Sequence, residues 1–100
     1  MAGLVAAARA RELGAAPVVF EKGDRAGGSM LLSSGVIWRH RTLSDFRTEC
    51  PGGDAELQAR LVAELDDALD WLEGLGIEPV RRETGNTLTV GRRYDTRALT

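Results

Sequence analysis

The residues best able to do chemistry fall in one stretch, Val18 to Gly35, VVFEKGDRAGGSMLLSSG. A short apolar run ends at the carboxylate of Glu21 and at Lys22, and a loop then leads to Gly27-Gly28-Ser29 and to Ser33-Ser34-Gly35. A carboxylate accepts hydrogen bonds from a vicinal diol. Glycines let backbone N–H groups approach an anion closely, and hydroxyls donate to phosphate or ring heteroatoms. Carboxylate, then glycines, then hydroxyls is the order that holds a ribose and then its phosphates, so a nucleotide site is the first hypothesis. Gly3 adds to it, because it opens an alanine-rich run and Glu21 follows 18 positions later. In dinucleotide folds the third glycine of G-x-G-x-x-G starts a helix whose N-terminus faces the pyrophosphate, and the ribose-binding acid lies about 20 residues further on. Gly3 takes that third place, with Met1 and Ala2 before it and the first two glycines not in the sequence. Taken singly, Gly3 is one glycine before a helix, Glu21 a loop acid and Gly27-Gly28-Ser29 a loop entering a helix cap. Their joint spacing carries the nucleotide reading.

Other candidate chemistries are weaker. His40 lies between Arg39 and Arg41 with no acid or nucleophile at a recognisable spacing, and reads as a solvated residue. Glu64, Asp66, Asp67 and Asp70 lie opposite a leucine stripe and read as a charged solvent face rather than metal ligands. Cys50 is the single cysteine, cannot form an internal disulfide and fits a reducing, cytoplasmic setting. A formal charge of −2 gives no reason to propose nucleic acid or an anionic membrane as partner. No apolar run reaches the roughly 20 residues of a membrane span, and Arg9, Arg11 and Glu12 interrupt the apolar N-terminus that would otherwise suggest a signal peptide.

The elements that must position these residues follow from pattern. Ala2 to Leu13 reads as a helix with a small-residue face, ended by Gly14. Val18-Val19-Phe20 reads as a buried parallel strand, and helix plus strand make half of a βαβ unit whose first strand is expected before Met1. Ser29 to Ser34 reads as a short helical turn capped by Ser29, Val36 to Trp38 as a brief strand, and Thr42 to Glu49 as a helical turn. The strongest periodicity predicts a helix from Ala55 to Leu75, capped by Asp54, with Leu57, Leu61, Leu65, Ala68, Leu69 and Leu72 on one stripe and Trp71 beside it. Gly76 and Pro79 end it, with Ile77 folding back on Leu72. Val80–Glu83 and Thr87–Val90 flank Gly85-Asn86 as a predicted hairpin, with arginines read as surface, and Asp95 to Thr100 looks like an N-cap and first turn.

MAGLVAAARARELGAAPVVFEKGDRAGGSMLLSSG resembles the N-terminal FAD-binding segment of the fumarate reductase, succinate dehydrogenase and 3-ketosteroid dehydrogenase flavoproteins, through strand-Glu-Lys, Gly-Gly-Ser and Ser-Gly. GDAELQARLVAELDDALDWLEGLGIEP and VGRRYDTRALT extend the similarity over nearly the whole chain; Val36 departs from the second glycine many members carry after Gly35. The resemblance implies an α/β fold: a partial Rossmann-like FAD-binding domain lacking its first strand, with a long amphipathic helix and a C-terminal hairpin. A single incomplete domain is expected over 1–100, with a dinucleotide-binding part at 1–38, the long helix at 54–76 and the hairpin at 79–94 leading toward a substrate domain, truncated at both ends. It implies FAD as cofactor, with Glu21 on the adenosine ribose, Lys22 on the adenine side, Gly27, Gly28 and Ser29 around the pyrophosphate and ribityl region, and Ser33, Ser34 and Gly35 near the flavin. It further implies hydride exchange between a C–C bond of a small-molecule substrate and flavin N5, with proton-handling residues further along the chain than this sequence extends. No catalytic residue is expected within it. The isolated chain is expected to be inactive and to bind FAD weakly or not at all. Two alternatives stand beside this reading: a non-enzymatic helical interaction module built on the Leu57–Leu72 stripe, and a different two-dinucleotide flavoprotein of the amine oxidase type.

Overall fold

A computed structural model describes the chain over residues 1–100. Its elements are α1 (Ala2–Glu12), a 3₁₀ turn over Gly28–Leu32, β1 (Val36–His40), α2 (Leu43–Glu49), α3 (Ala55–Gly74) and β2 (Thr89–Arg93). The order is mixed helix and strand, and the one sheet has two antiparallel strands, β1 and β2, in the register Val36 opposite Arg93 through His40 opposite Thr89.

α3 forms where periodicity and caps agree. The Asp54 side chain accepts the N–H groups of Glu56 and Leu57 at 3.0 and 2.9 Å, satisfying donors that a helix start leaves open. At the other end Gly76 turns the chain at a φ of +95°, a conformation a Cβ would strain. α2 starts in the same way, with Thr42 accepting the Asp45 N–H at 3.0 Å and donating its hydroxyl to the Asp45 carboxylate at 2.8 Å.

The sheet lies under the C-terminal half of α3 only. Leu69 and Leu72 are buried there with Tyr94 and Leu99, while Met30, Ile37, Leu65, Trp71 and Ile77 pack around them. The N-terminal half of the leucine stripe has nothing beneath it, so Leu57 stays 66% exposed. Polar groups do much of the clamping. Arg92 on β2 donates to Asp70 and Glu73 on α3 at 2.6 and 2.7 Å, Tyr94 donates to Glu73 at 3.1 Å, and Arg39 on β1 holds both Asp66 carboxylate oxygens through its Nε and Nη2. Burial pushes the Glu73 carboxyl up, but hydrogen bonds from Arg82, Arg92 and Tyr94 outweigh it and hold the group below the usual carboxylate range. The Arg39 guanidinium does the same for Asp66.

Several expectations need correction. Val18-Val19-Phe20 is not a buried strand: its residues make no backbone hydrogen bond and Phe20 is 93% exposed, because no neighbouring strand lies alongside to complete a ladder. No parallel sheet forms. The C-terminal hairpin does not form between Val80–Glu83 and Thr87–Val90 either. Thr89–Arg93 pairs with β1 along one edge, and its other edge meets the arm only at Arg81, which bridges Arg93, because the Thr84 and Asn86 side chains hold the residues between them in a turn of their own rather than extended beside β2. The 3₁₀ turn starts at Gly28, with Gly27 as its cap and no side-chain cap from Ser29. His40 is buried rather than solvated, stacked on Phe46 at 4.5 Å and edge-on to Trp38 at 5.5 Å. Asp66 and Asp70 do face solvent, at 54% and 66% side-chain exposure, and are in addition paired with arginines.

Candidate functional site

Three segments converge on one cleft. The N-terminal turn of α1 supplies Met1, Gly3 and Leu4, the extended run supplies Val19, Phe20 and Glu21, and the loop into the 3₁₀ turn supplies Ala26 to Met30 with Ser33. The space they enclose is about 560 Å³, within the range of small-molecule and cofactor sites.

Its polar groups have distinct roles. Glu21 accepts the Gly23 N–H on Oε1 at 2.8 Å, and its Oε2 has no protein partner. The N–H groups of Leu4 and Val5 return to the Met1 carbonyl at 3.0 and 3.1 Å, while those of Ala2 and Gly3 have no backbone partner. This is the positive end of an 11-residue helix. Gly28 sits at a φ of +53° with no atom within 4 Å of the position a Cβ would take, so the backbone is bare towards the cleft. The Ser29 hydroxyl makes no hydrogen bond within the protein, whereas Ser33 is engaged: it donates to the Met30 carbonyl at 3.0 Å and accepts the Gly35 N–H at 3.1 Å. The cleft thus joins a donor-rich end, suited to an anion, to a single acceptor carboxylate suited to a diol.

Of the residues the sequence singled out, Gly3, Glu21, Gly27, Gly28, Ser29 and Ser33 line this cleft, and Lys22, Ser34 and Gly35 do not. Lys22 is exposed beside it. The Ser34 carbonyl accepts from Arg93 Nε at 3.1 Å, and Gly35 is buried against Tyr94, whose N–H donates to the Gly35 carbonyl at 2.9 Å. The apolar wall of Met1, Leu4, Val19, Phe20, Ala26 and Met30 was missed. Reading Val19 and Phe20 as core strand residues hid it, and only their position next to Glu21 hinted at it.

The family profile described as FAD binding domain matches residues 1–99. The chain belongs to that family. These are FAD-dependent oxidoreductases of the fumarate reductase and succinate dehydrogenase type, and FAD is their cofactor. Neither a curated protein nor a solved structure gives a match. FAD carries a ribose diol, a pyrophosphate and two ring systems. The residues of the cleft fit such a group through the free Glu21 oxygen, the bare backbone at Gly28, the open helix end at Gly3 and the apolar wall between them. No helix of the chain is long and apolar enough to cross a membrane.

Proposed function

We propose that Gly3, Glu21, Gly27, Gly28, Ser29 and Ser33 hold FAD in a dehydrogenase or reductase acting on a C–C bond of a small-molecule substrate. When bound, the flavin supplies hydride chemistry at N5. The chain's own part is binding and orientation. Glu21 takes the ribose hydroxyls on its free oxygen, the α1 N-terminus and the Gly27-Gly28 backbone face the pyrophosphate, and Ser29 donates beyond it. Ser34 and Gly35 shape the approach to this surface from behind, through Arg93 and Tyr94, and Lys22 lies at its adenine end.

The observation that carries the reading is the convergence on one cleft of Gly3 and Glu21, far apart in sequence, with the Gly27-Gly28-Ser29 turn. Titration of FAD into the chain, carried to concentrations that reach the weak binding expected of it and followed by flavin fluorescence, tests it. Glu21→Ala removes a charge-assisted pair of hydrogen bonds and weakens binding about tenfold, while Asp24→Ala, in the exposed loop outside the cleft, leaves it unchanged. A Glu21→Ala protein with wild-type affinity refutes the assignment.

A further inference from the structure

α1 has no buried residue, and no backbone hydrogen bond joins residues 1–15 to the rest of the chain. Its contact with α3 and the C-terminal turn leaves a cleft of about 200 Å³ between Leu4, Val5 and Ala8 on one side and Leu72, Leu75 and Leu99 on the other. Interlocking side chains therefore do not set its position. One polar link does cross: the Trp71 indole N–H donates to both oxygens of Glu12, at 3.0 and 2.9 Å, across 59 positions of sequence. Arg9 holds the same carboxylate at 2.8 Å. The Arg9 and Trp71 hydrogen bonds keep the Glu12 carboxyl below the usual carboxylate range, so it is charged at neutral pH.

Trp71 sits half-buried at the edge of the core on α3, and α3 is clamped to the sheet by Arg39–Asp66 and Arg92–Asp70. At the opposite end of α1, Met1 packs against the core. Glu12 and Gly3 are separated by about 14 Å of rigid helix at 1.5 Å per residue. A rod held at Met1 alone can swing and roll, and one held at both ends cannot.

We infer that Glu12 and Trp71 are a positioning pair: the indole N–H fixes the C-terminal end of α1 so that its N-terminal turn, with Gly3, stays at the wall of the FAD cleft. The effect on FAD rests on the function proposed above; the effect on the place of α1 does not. Neither residue touches the cleft, so the pair acts through the helix.

Two measurements on the full chain test this, with Trp71→Phe, Glu12→Ala, the double variant and Glu12→Gln. The first is FAD affinity at 10 °C, where the folded form is measured. Trp71→Phe and Glu12→Ala each weaken binding about 3- to 10-fold, the double variant is no worse than either, and Glu12→Gln, which keeps an acceptor oxygen, restores most of the affinity. A residue that served stability alone would lower the melting temperature and leave the affinity of folded molecules unchanged. The second is the amide resonances of Gly3 and Leu4 in the isotope-labelled, FAD-free chain, which shift in Trp71→Phe and in Glu12→Ala and return in Glu12→Gln. If wild type binds FAD and the variants bind it equally, the pairing has no positioning role. If the isolated chain does not bind FAD, the proposed site goes unsupported there and the resonances decide alone: unmoved Gly3 and Leu4 signals overturn the inference, and moved ones support it.

Discussion

Gly28 and Gly35 both adopt positive φ, at +53° and +74°, yet replacing each by alanine has different consequences. At Gly35 a Cβ would run into the Tyr94 carbonyl oxygen and lie 3.0 Å from Thr96 Cγ2. The carbonyl belongs to backbone and cannot swing aside. An L-residue in the left-handed region costs about 1 kcal/mol, and forcing an extra methyl into packed backbone adds about 1–3 kcal/mol, so Gly35→Ala destabilises by about 2–4 kcal/mol. A chain of this length has a total stability of about 5–15 kcal/mol, and with only Leu69, Leu72, Tyr94 and Leu99 as its buried apolar core it belongs at the lower end. At about 4–8 °C per kcal/mol, the melting temperature of Gly35→Ala falls by about 10–30 °C. At Gly28 nothing lies within 4 Å of the added methyl, so only the backbone strain of about 1 kcal/mol remains and melting falls by about 4–8 °C. That methyl occupies the space proposed for FAD, and binding weakens tenfold or more. Circular dichroism melts and flavin titrations of the two variants provide the comparison. Equal melting temperatures, or a Gly28→Ala protein with wild-type FAD affinity, refute the division between a packing glycine and a ligand-facing one.

Other outcomes follow from the same geometry. Leu69, 2% exposed at the centre of a four-residue apolar core, costs about 2–5 kcal/mol when cut to alanine, enough to leave much of the chain unfolded at 37 °C by the loss of near-ultraviolet circular dichroism. Asp66, Glu73 and Glu12 all have carboxyls lowered in the folded state by donors. They contribute stability that is complete above the unfolded carboxylate pKa of about 4 and is lost as pH falls through the lower folded values. Melting temperature therefore drops as pH falls below the unfolded carboxylate pKa of about 4, and Asp66→Asn flattens part of that slope; a melting temperature constant through this acid range contradicts the ion-pair account.

Local signals were readable in the sequence and pairing signals were not. Asp54, the leucine spacing and Gly76 specify α3 through groups within a few residues of one another, and the helix runs where they place it. Asp95 likewise caps the final turn by accepting from Arg97 and Ala98 at 2.9 Å each. Val18-Val19-Phe20 and Thr87–Val90 have the composition of strands, but a strand exists only with a partner, and composition does not name one. The partner of Thr89–Arg93 is β1, whose paired residues lie 49 to 57 positions upstream, and a glycine-asparagine turn suggested a nearer choice. The arginines were misjudged for a related reason: Arg92 becomes a core clamp only once β2 lies under α3, with its side chain 17% exposed. In the cleft, Glu21 and the glycines were found through their chemistry, whereas the apolar wall carries no chemical mark and needed the fold.

The unpaired run before Glu21 also bears on how the chain behaves in concentrated solution. Three consecutive β-favouring residues with free backbone groups are a template for strand addition by other molecules. The run is nevertheless bounded on one side by Pro17, which has no N–H to donate, and on the other by the charges of Glu21 and Lys22. Self-associating cross-β segments need about five to seven uninterrupted residues, and this one is held to three. The carboxylate proposed to take a ribose thus also acts as a gatekeeper, so a variant such as Glu21→Val would lose solubility along with its ligand.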